Sequence, residues 1–325
     1  DGLHAKMNEE GGLKKKLFYA AIETAEARKK LAAEGKRSGW LDFKFKILDG
    51  LVFSKVRERF GGRLKYAFSG GAAISKEVAE FIDNLGITVY EGYGLSETSP
   101  IATMNYPGAR KIGSVGKPIP GVEIEIDIAA TEDPKQGEIV IYGHNIMEGY
   151  HNLPKANEEV LVEKNGLRGF RSGDMGLIDD EGFLFITGRV KEQYKLLNGK
   201  YVVPTPLEEK IKLSPYISNA MVYGMNREYN TAVVVPDYEV LKGWAAEKGL
   251  DFDPASLANN DQVRALIEEE VDRLSAEFKG YEKLRKIYIG EEDFTTENGM
   301  LTPTLKLKRR IVQKRYQDAI DSLYA

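Results

Sequence analysis

Cysteine is absent from the 325 residues, which excludes disulfides, thiolate catalysis and thiolate-bound zinc. Histidine occurs three times, at His4, His144 and His151, too few and too scattered for a histidine-based metal centre. No G-x-S-x-G turn is present to seat a hydrolase serine, and no G-x-x-x-x-G-K-[ST] loop to wrap a phosphate. No apolar run approaches the ~18 residues of a membrane-spanning helix. Nor does one charge predominate: 46 Lys and Arg stand against 50 Asp and Glu, a formal net charge of -4. That balance gives no general reason to bind nucleic acid, so an anionic partner has to be held by local groups. The chain begins at Asp1 with no initiator Met or signal peptide, which reads as a piece of a longer protein with the cytoplasm as its default location.

Hydrophobic residues make up 42% of the chain, with 13 Phe and 17 Tyr, enough to build folded cores rather than a disordered tail. The length suits two or more domains. Residues 11–33 read as an amphipathic helix with Leu13, Leu17, Ala20, Ala21 and Thr24 on one side. The GKRSGW segment closes it, and a second helix is expected at 47–60. From Arg63 the pattern becomes strand, glycine turn, helix, strand, glycine turn. LKYAFSGG is a buried strand by this reading, Ser75 caps the helix SKEVAEFIDNLG, and ITVYEGYG is the next strand. In such βαβ sheets ligands gather beyond the carboxyl ends of the strands, where both glycine turns lie. Residues 112–188 alternate in short runs and read as all-β. Beyond a boundary at 188–191, a helix near 204–213, strands near 217–224 and 231–236, helices near 237–248 and 261–278 and a basic helix after 306 make a compact α+β domain.

The second glycine turn, Glu91-Gly92-Tyr93-Gly94-Leu95-Ser96-Glu97-Thr98, combines close backbone approach, an aromatic ring, two hydroxyls and a carboxylate. Glycines admit a flat or anionic ligand, and a carboxylate is the hard oxygen donor that Mg2+ accepts beside phosphate. By residue types alone the segment suits either a ligand site or a tight turn with a capped helix after it.

The order of further segments decides between those readings. SGGAA (69–73), EGYGLSET (91–98), GEIVIYGHNIMEGYHNLP (137–154), RSGD (171–174), GRVKE (188–192), LLNGKYVVP (196–204) and LTPTLKLKRR (301–310) follow one another along the chain. This series resembles the core motifs of the adenylate-forming superfamily, which includes acyl-CoA synthetases, adenylation domains and luciferases. LTPTLKLKRR and SVGKPIPGVEIEI are most similar to long-chain fatty-acid–CoA ligases.

The resemblance implies an α/β fold. Residues 1–188 would be the C-terminal part of a large AMP-binding domain, a βαβ sheet layer plus a β-barrel-like subdomain. Residues 189–325 would be a small mobile α+β domain. It also implies ATP, Mg2+, CoA and a fatty acid as the partners, in two steps through an acyl-adenylate. Carried over by residue, Gly70, Gly71 and Ala72 border adenine and the acyl group, and Glu91, Gly92, Tyr93 and Gly94 bind adenosine, with Tyr93 against the base. Ser96 meets the α-phosphate, Glu97 holds Mg2+, and Asp174 and Arg189 contact the ribose. Lys191 is the hinge, Gly199 and Lys195 face the CoA tunnel, and Lys306 is the catalytic lysine. Thr304-Leu305-Lys306 stands where relatives carry Ser-Gly-Lys, so Lys306 rather than Lys308 is taken by register. The family's Ser/Thr/Gly-rich phosphate loop is missing, which places the N-terminal portion of the fold before Asp1. Two alternatives stay open: a fatty-acyl-AMP ligase that loads a carrier protein, and a non-catalytic nucleotide-binding module. The six cations between Lys306 and Arg315 read mainly as a solvated helix face, with contact to CoA phosphates or a membrane surface as a secondary expectation.

Overall fold

The computed structural model describes residues 11–71, 74–131, 135–250 and 252–325. Backbone proximity divides the chain into two units. One takes the residues up to Asp127 with Ile139–Ser172 and Gly176–Ile186; the other takes Ile128–Glu138, Gly173–Met175 and Thr187–Ala325.

In the first unit, helix α1 (Gly12–Ala33) buries Phe18, Ala21, Thr24 and Ala25. Of the stripe expected, Ala21 and Thr24 are buried and Leu17 and Ala20 half-buried, with Phe18 and Ala25 added beside them, whereas Leu13 near the helix start is 72% exposed. Helix α2 (Gly39–Leu48) begins eight residues earlier than the sequence pattern suggested, because Ser38 Oγ accepts the Leu41 N–H and caps it. It runs on through a π-helical turn at Asp49–Phe53 to a short helix, Ser54–Glu58. Strand β1 (Tyr66–Ser69), helix α3 (Lys76–Asn84) and strand β2 (Thr88–Tyr93) form the expected βαβ unit. The Ser75 side chain caps α3 by accepting from Val78 N at 3.2 Å. β1 and β2 are parallel, with Ser69 opposite Glu91, and β2 continues antiparallel to β3 (Thr103–Met104) and then β4 (Lys117–Pro118).

The expectation that β1 is buried is overturned: among the described residues it is the sheet's outer strand, and Phe68 is 73% exposed. Tyr66 and Phe68 stack on Tyr90 of β2 yet stay largely open to solvent, while Ala67 and Ser69 on the other face are half-buried. A parallel strand covered on both faces reads as a continuous apolar run, and YAFS is such a run with half of its cover lacking among the described residues.

The β-rich segment builds an open five-stranded sheet, with no barrel closure among the described residues. Its order is β5 (Val122–Asp127), β6 (Gly137–Gly143), β8 (Leu167–Ile178) and β7 (Leu161–Lys164), and the long β8 pairs with β9 (Leu184–Arg189) as well. The segment is not all-β: helix α4 (Pro154–Val160) interrupts it, started by a proline in its first turn, where no N–H is needed.

The second unit holds the hairpin β10 (Tyr194–Lys195) and β11 (Tyr201–Val202), helix α5 (Pro204–Ile211), and strands β12 (Ile217–Tyr223) and β13 (Asn230–Pro236). It continues with α6 (Tyr238–Lys248), α7 (Asp261–Leu274), β14 (Leu284–Ile289), α8 (Arg309–Arg315) and α9 (Gln317–Ser322). β13 lies between antiparallel β12 and parallel β14. The period of two sorts this sheet onto two cores. Ala220, Val222, Ala232 and Val234 face α5, α6 and α7, whereas Met221, Val233 and Val235 face Phe294, Met300, Leu301, Val312 and Ile320. Strand β14 escaped the sequence reading because its exposed Arg285 and Lys286 break the apolar alternation. No described helix is long and apolar enough to cross a membrane.

Candidate functional site

The two glycine segments meet at the carboxyl end of the parallel pair. A Cβ on Gly70 would stand 3.5 Å from the carbonyl oxygen of Gly92, and Gly71 follows with a left-handed φ of 79°. Ala72 lies outside the described residues. Gly94 has no room for a side chain, since a Cβ there would fall 1.8 Å from the Pro100 carbonyl oxygen. The chain therefore folds back on itself through this turn, which a larger residue forbids.

Straps from neighbouring segments fix the turn. Asn105 N donates to Glu91 O at 2.7 Å, and Ala102 N to Tyr93 O at 2.8 Å. Asn145 Nδ2, just past β6, donates to Thr98 O at 3.1 Å and Ile101 O at 2.8 Å. Met147 N donates to Glu97 O at 2.9 Å. The Thr98 hydroxyl, fully buried, accepts from Leu95 N at 2.9 Å and serves the Leu95 and Pro100 carbonyls. It is spent on the turn, which removes it from the hydroxyls open to a ligand; Ser96 is exposed.

Glu97 is half-buried, and Tyr150 OH donates to its Oε1 at 2.7 Å. Burial first, then this bond and the carboxylate's charge, push the Tyr150 phenol up to about 12, so it remains a donor at neutral pH. Tyr150 is itself clamped by Asn157 of α4, which accepts from its N–H at 2.7 Å and donates to its carbonyl at 3.0 Å. Gly149 stays a glycine beneath that clamp, because a Cβ would press on the Asn157 amide at 3.0 Å. Nothing local in GYHNLP points to a role for Tyr150, and Asn157 lies beyond that motif.

Among the described residues no cluster of three or more carboxylates or histidines could hold a metal by itself. A lone oriented carboxylate still fits Mg2+, which keeps several waters and takes one or two carboxylates beside phosphate oxygens. Glu91 is buried; desolvation raises its pKa above the ordinary carboxylate value, against the Gly113 N–H and the Arg110 charge, which lower it. Tyr93 is 7% exposed and packs among Ala102, Val122 and Ile139, so little of its ring is open to a ligand.

In the second unit, Asp174 is 5% exposed and pairs with Arg189, Nε to Oδ1 at 3.1 Å. The structure thus brings together the two residues assigned to ribose. Lys191 is exposed in a short 3-10 turn, Val190–Glu192, between β9 and β10. Gly199 turns the β10–β11 hairpin with a φ of 86°, and Lys195 lies over the Tyr201 ring on that hairpin's exposed face.

Lys306 sits on the return arm of a second hairpin, where Leu301 bridges Leu307. Thr302 pins its backbone: Thr302 N donates to Lys306 O at 2.8 Å, and Lys306 N donates to Thr302 Oγ1 at 3.0 Å. Leu305, at the tip, is left-handed with a φ of 58° and exposed. The Lys306 side chain is exposed, and no described residue pairs with its ammonium.

Comparison with known proteins identifies the family of the chain. The sequence model of the AMP-binding enzyme family matches residues 16–151, and that of the AMP-binding enzyme C-terminal domain matches residues 191–325. The chain is 33% identical over 322 residues to the long-chain-fatty-acid–CoA ligase FadD15 of Mycobacterium bovis, covering 98% of this chain and 52% of that protein. It is 36% identical over 339 residues to fatty acyl-CoA synthetase A of Dictyostelium discoideum, covering 100% of this chain and 49% of that one. Among solved structures it resembles the A-PCP didomain of carboxylic acid reductase from Segniliparus rugosus in complex with AMP. There the TM-score is 0.67 and the identity 26%, over 94% of this chain and 40% of that one. The adenylation domain of the carboxylate reductase from Mycobacterium chelonae gives a TM-score of 0.68 at 25% identity, over 95% and 45%. The chain belongs to the AMP-binding, adenylate-forming enzyme family. It spans about half the length of the relatives it matches.

Proposed function

We propose that the chain is the C-terminal part of an AMP-forming long-chain fatty-acid–CoA ligase. The observation that carries this reading is the strapped glycine turn with its tethered Glu97 carboxylate, in a chain whose relatives are named as such ligases. In the first step a fatty carboxylate oxygen attacks the α-phosphorus of ATP, the bond to the β-phosphate oxygen breaks, and pyrophosphate leaves. In the second, the CoA thiol gives up its proton to water, the thiolate sulfur attacks the acyl carbon, and AMP leaves with the bonding pair.

The demand of the first step is to bring two anions together while charge spreads over phosphate oxygens. Gly70, Gly71 and Gly92–Gly94 offer backbone to the purine side, Ser96 a hydroxyl to the α-phosphate, and the Arg189-oriented Asp174 an acceptor for the ribose hydroxyls. Glu97, aimed by Tyr150, would hold Mg2+, whose charge would offset that of the phosphates. Lys306 supplies a compact charge on a flexible stem, suited to bridging the attacking carboxylate and the α-phosphate. Lys191 serves as the hinge of a small domain beginning near residue 189, and Gly199 and Lys195 face CoA. The exposed edge β1 and the apolar residues Trp40, Phe43, Ile47 and Leu51 along α2 and its extension support a preceding segment that covers them.

Fatty-acid-dependent ATP–pyrophosphate exchange, across acids from acetate to oleate, tests the reading. Exchange with long acids by the whole enzyme is the expected result, and silence with every acid overturns it. The 325-residue chain alone is expected to be silent, because the phosphate loop is missing from it. The likeness to an A-PCP didomain favours one second reading, transfer of the acyl group to a carrier protein. Turnover that depends on CoA decides against it.

A further inference from the structure

The segment leaving the Lys306 hairpin is anchored by a buried ion pair that no part of the proposed chemistry uses. Arg309 Nη1 donates to Glu208 Oε1 at 2.7 Å and Nη2 to Oε2 at 2.8 Å, a two-pronged fork between α8 and α5. The same Nη1 donates to the Val222 carbonyl of β12 at 3.2 Å, while Val222 N donates to Glu208 Oε1 at 2.6 Å. Glu208 is 5% exposed. A third segment joins them: Glu192 Oε2, one residue past Lys191, lies 3.8 Å from Arg309 Nη2 and accepts from Thr205 Oγ1 of α5 at 3.0 Å. One guanidinium therefore gathers the hinge turn, the start and middle of α5, a sheet strand and the root of the lysine hairpin.

We propose that Arg309 and Glu208 are positioning residues for Lys306. This rests on the reading that Lys306 drives adenylation. The fork fixes both the place and the orientation of residue 309, because a planar guanidinium and a carboxylate meet in one plane. From that root the chain back to Lys306 is three residues long and already held by Lys308 N to Met300 O at 2.8 Å and by the Thr302 clamp. The backbone that carries the lysine is thereby tied at both arms of the hairpin, while its side chain is exposed. An apolar pair would pack the same space but would not set the direction in which the hairpin leaves the core.

The test uses the whole enzyme. Arg309→Met alone strands a buried carboxylate and is expected to lower the melting temperature as well as activity. The Glu208→Gln/Arg309→Met double variant removes both charges and keeps an acceptor for Val222 N–H. It is expected to recover the melting temperature while acyl-adenylate formation stays down by about a hundredfold, the scale of a displacement near 1 Å. The loss should lie in kcat rather than in the KM for ATP, and thioester formation from supplied acyl-adenylate should be unchanged. A double variant with restored stability and wild-type adenylation overturns the proposal and leaves the pair a purely structural one. Equal loss of both half-reactions overturns it too. Lys306→Ala, run alongside, separates the two levels: if it spares adenylation, the underlying reading has failed and this inference falls with it. If it abolishes adenylation while the double variant is fully active, this inference alone has failed.

Discussion

The turn at residues 91–98 and the hairpin at residues 300–308 carry the two charged groups of the proposed first step, and they are built in opposite ways. In the turn the side chain is held: Tyr150 fixes the Glu97 carboxylate and Asn157 fixes Tyr150 in its place. In the hairpin the backbone is held and the side chain is not, with Thr302 and the buried Met300 and Leu301 fixing everything except the Lys306 ammonium. The difference follows from what each group is asked to do. A cation ligand has to present oxygen in a set direction, so its orienting hydrogen bonds raise the precision of the site. An ammonium acts as a point charge in any direction, and four flexible carbons let it follow a substrate. The same contrast says which substitutions act at a distance and which act only at the group itself.

Removing the unheld charge is expected to have the largest effect. In the whole enzyme, Lys306→Ala should cut acyl-adenylate formation about a thousandfold, the upper range for losing one group that stabilises transition-state charge. Thioester formation from supplied acyl-adenylate should be spared, and single-turnover kinetics of the two half-reactions reads the split. Equal losses would mean that the hairpin is a structural element of both steps.

The held turn should break through its backbone. Gly94→Ala drives a methyl into the Pro100 carbonyl at 1.8 Å, so the strand and the turn cannot both keep their places. Chemical denaturation should show a loss of about 3 kcal/mol or more, and AMP binding, followed by calorimetry, should weaken with it. Gly199→Ala is the matched control in the other unit. Its nearest neighbour is Lys195 Cε at 3.8 Å, so only its φ of 86° is strained. That change should cost about 1 kcal/mol. A larger loss confined to the CoA step would mark Gly199 as part of the tunnel rather than of the hairpin turn alone.

What was legible in the sequence follows the same divide. Local signals gave the βαβ unit, the Ser75 cap and both glycine turns, because glycine need and capping chemistry are written within a few residues. Ordered motifs gave Lys306, Asp174, Arg189 and Glu97 as candidates, and the structure pairs two of them. Long-range partners were invisible. Tyr150 lies 53 positions from Glu97, and Glu208 lies 101 from Arg309, distances that no periodicity spans. The exposure of β1 was misjudged for a different reason. An apolar run reports that a strand is meant to be covered, not which segment covers it. The same holds for Thr98, whose hydroxyl looked available until its carbonyl partners came into view.

Loosening the held carboxylate should have a smaller effect than losing the lysine. Tyr150→Phe keeps the ring and deletes one hydrogen bond to a charged group, an interaction worth about 1.5–3 kcal/mol. The Mg2+ concentration for half-maximal adenylation should rise about tenfold, as expected when a group that orients a metal ligand is lost. The melting temperature should fall by a few degrees with the lost bond, and the CoA step should change little. An unchanged Mg2+ requirement would show that Glu97 keeps its direction without Tyr150, and the contrast between held and unheld groups would then lose its functional meaning.

The smallest effect is expected at Glu91, and its sign depends on pH. Burial raises the Glu91 pKa in the folded protein above its ordinary value, so the fold prefers the protonated side chain. Such a group favours the native state below the unfolded pKa, and that contribution is lost as pH rises through the folded pKa. Glutamine mimics the protonated form at every pH. Glu91→Gln should therefore be more stable than the wild type at neutral pH, and the advantage should shrink as the pH falls through the carboxylate range. Denaturant titrations at several pH values measure this directly. A variant less stable than the wild type at neutral pH would mean that the Gly113 N–H and Arg110 do more for the ionised carboxylate than its desolvation takes away. Glu91 would then be a second held charge beside Glu97 rather than a buried support for the turn.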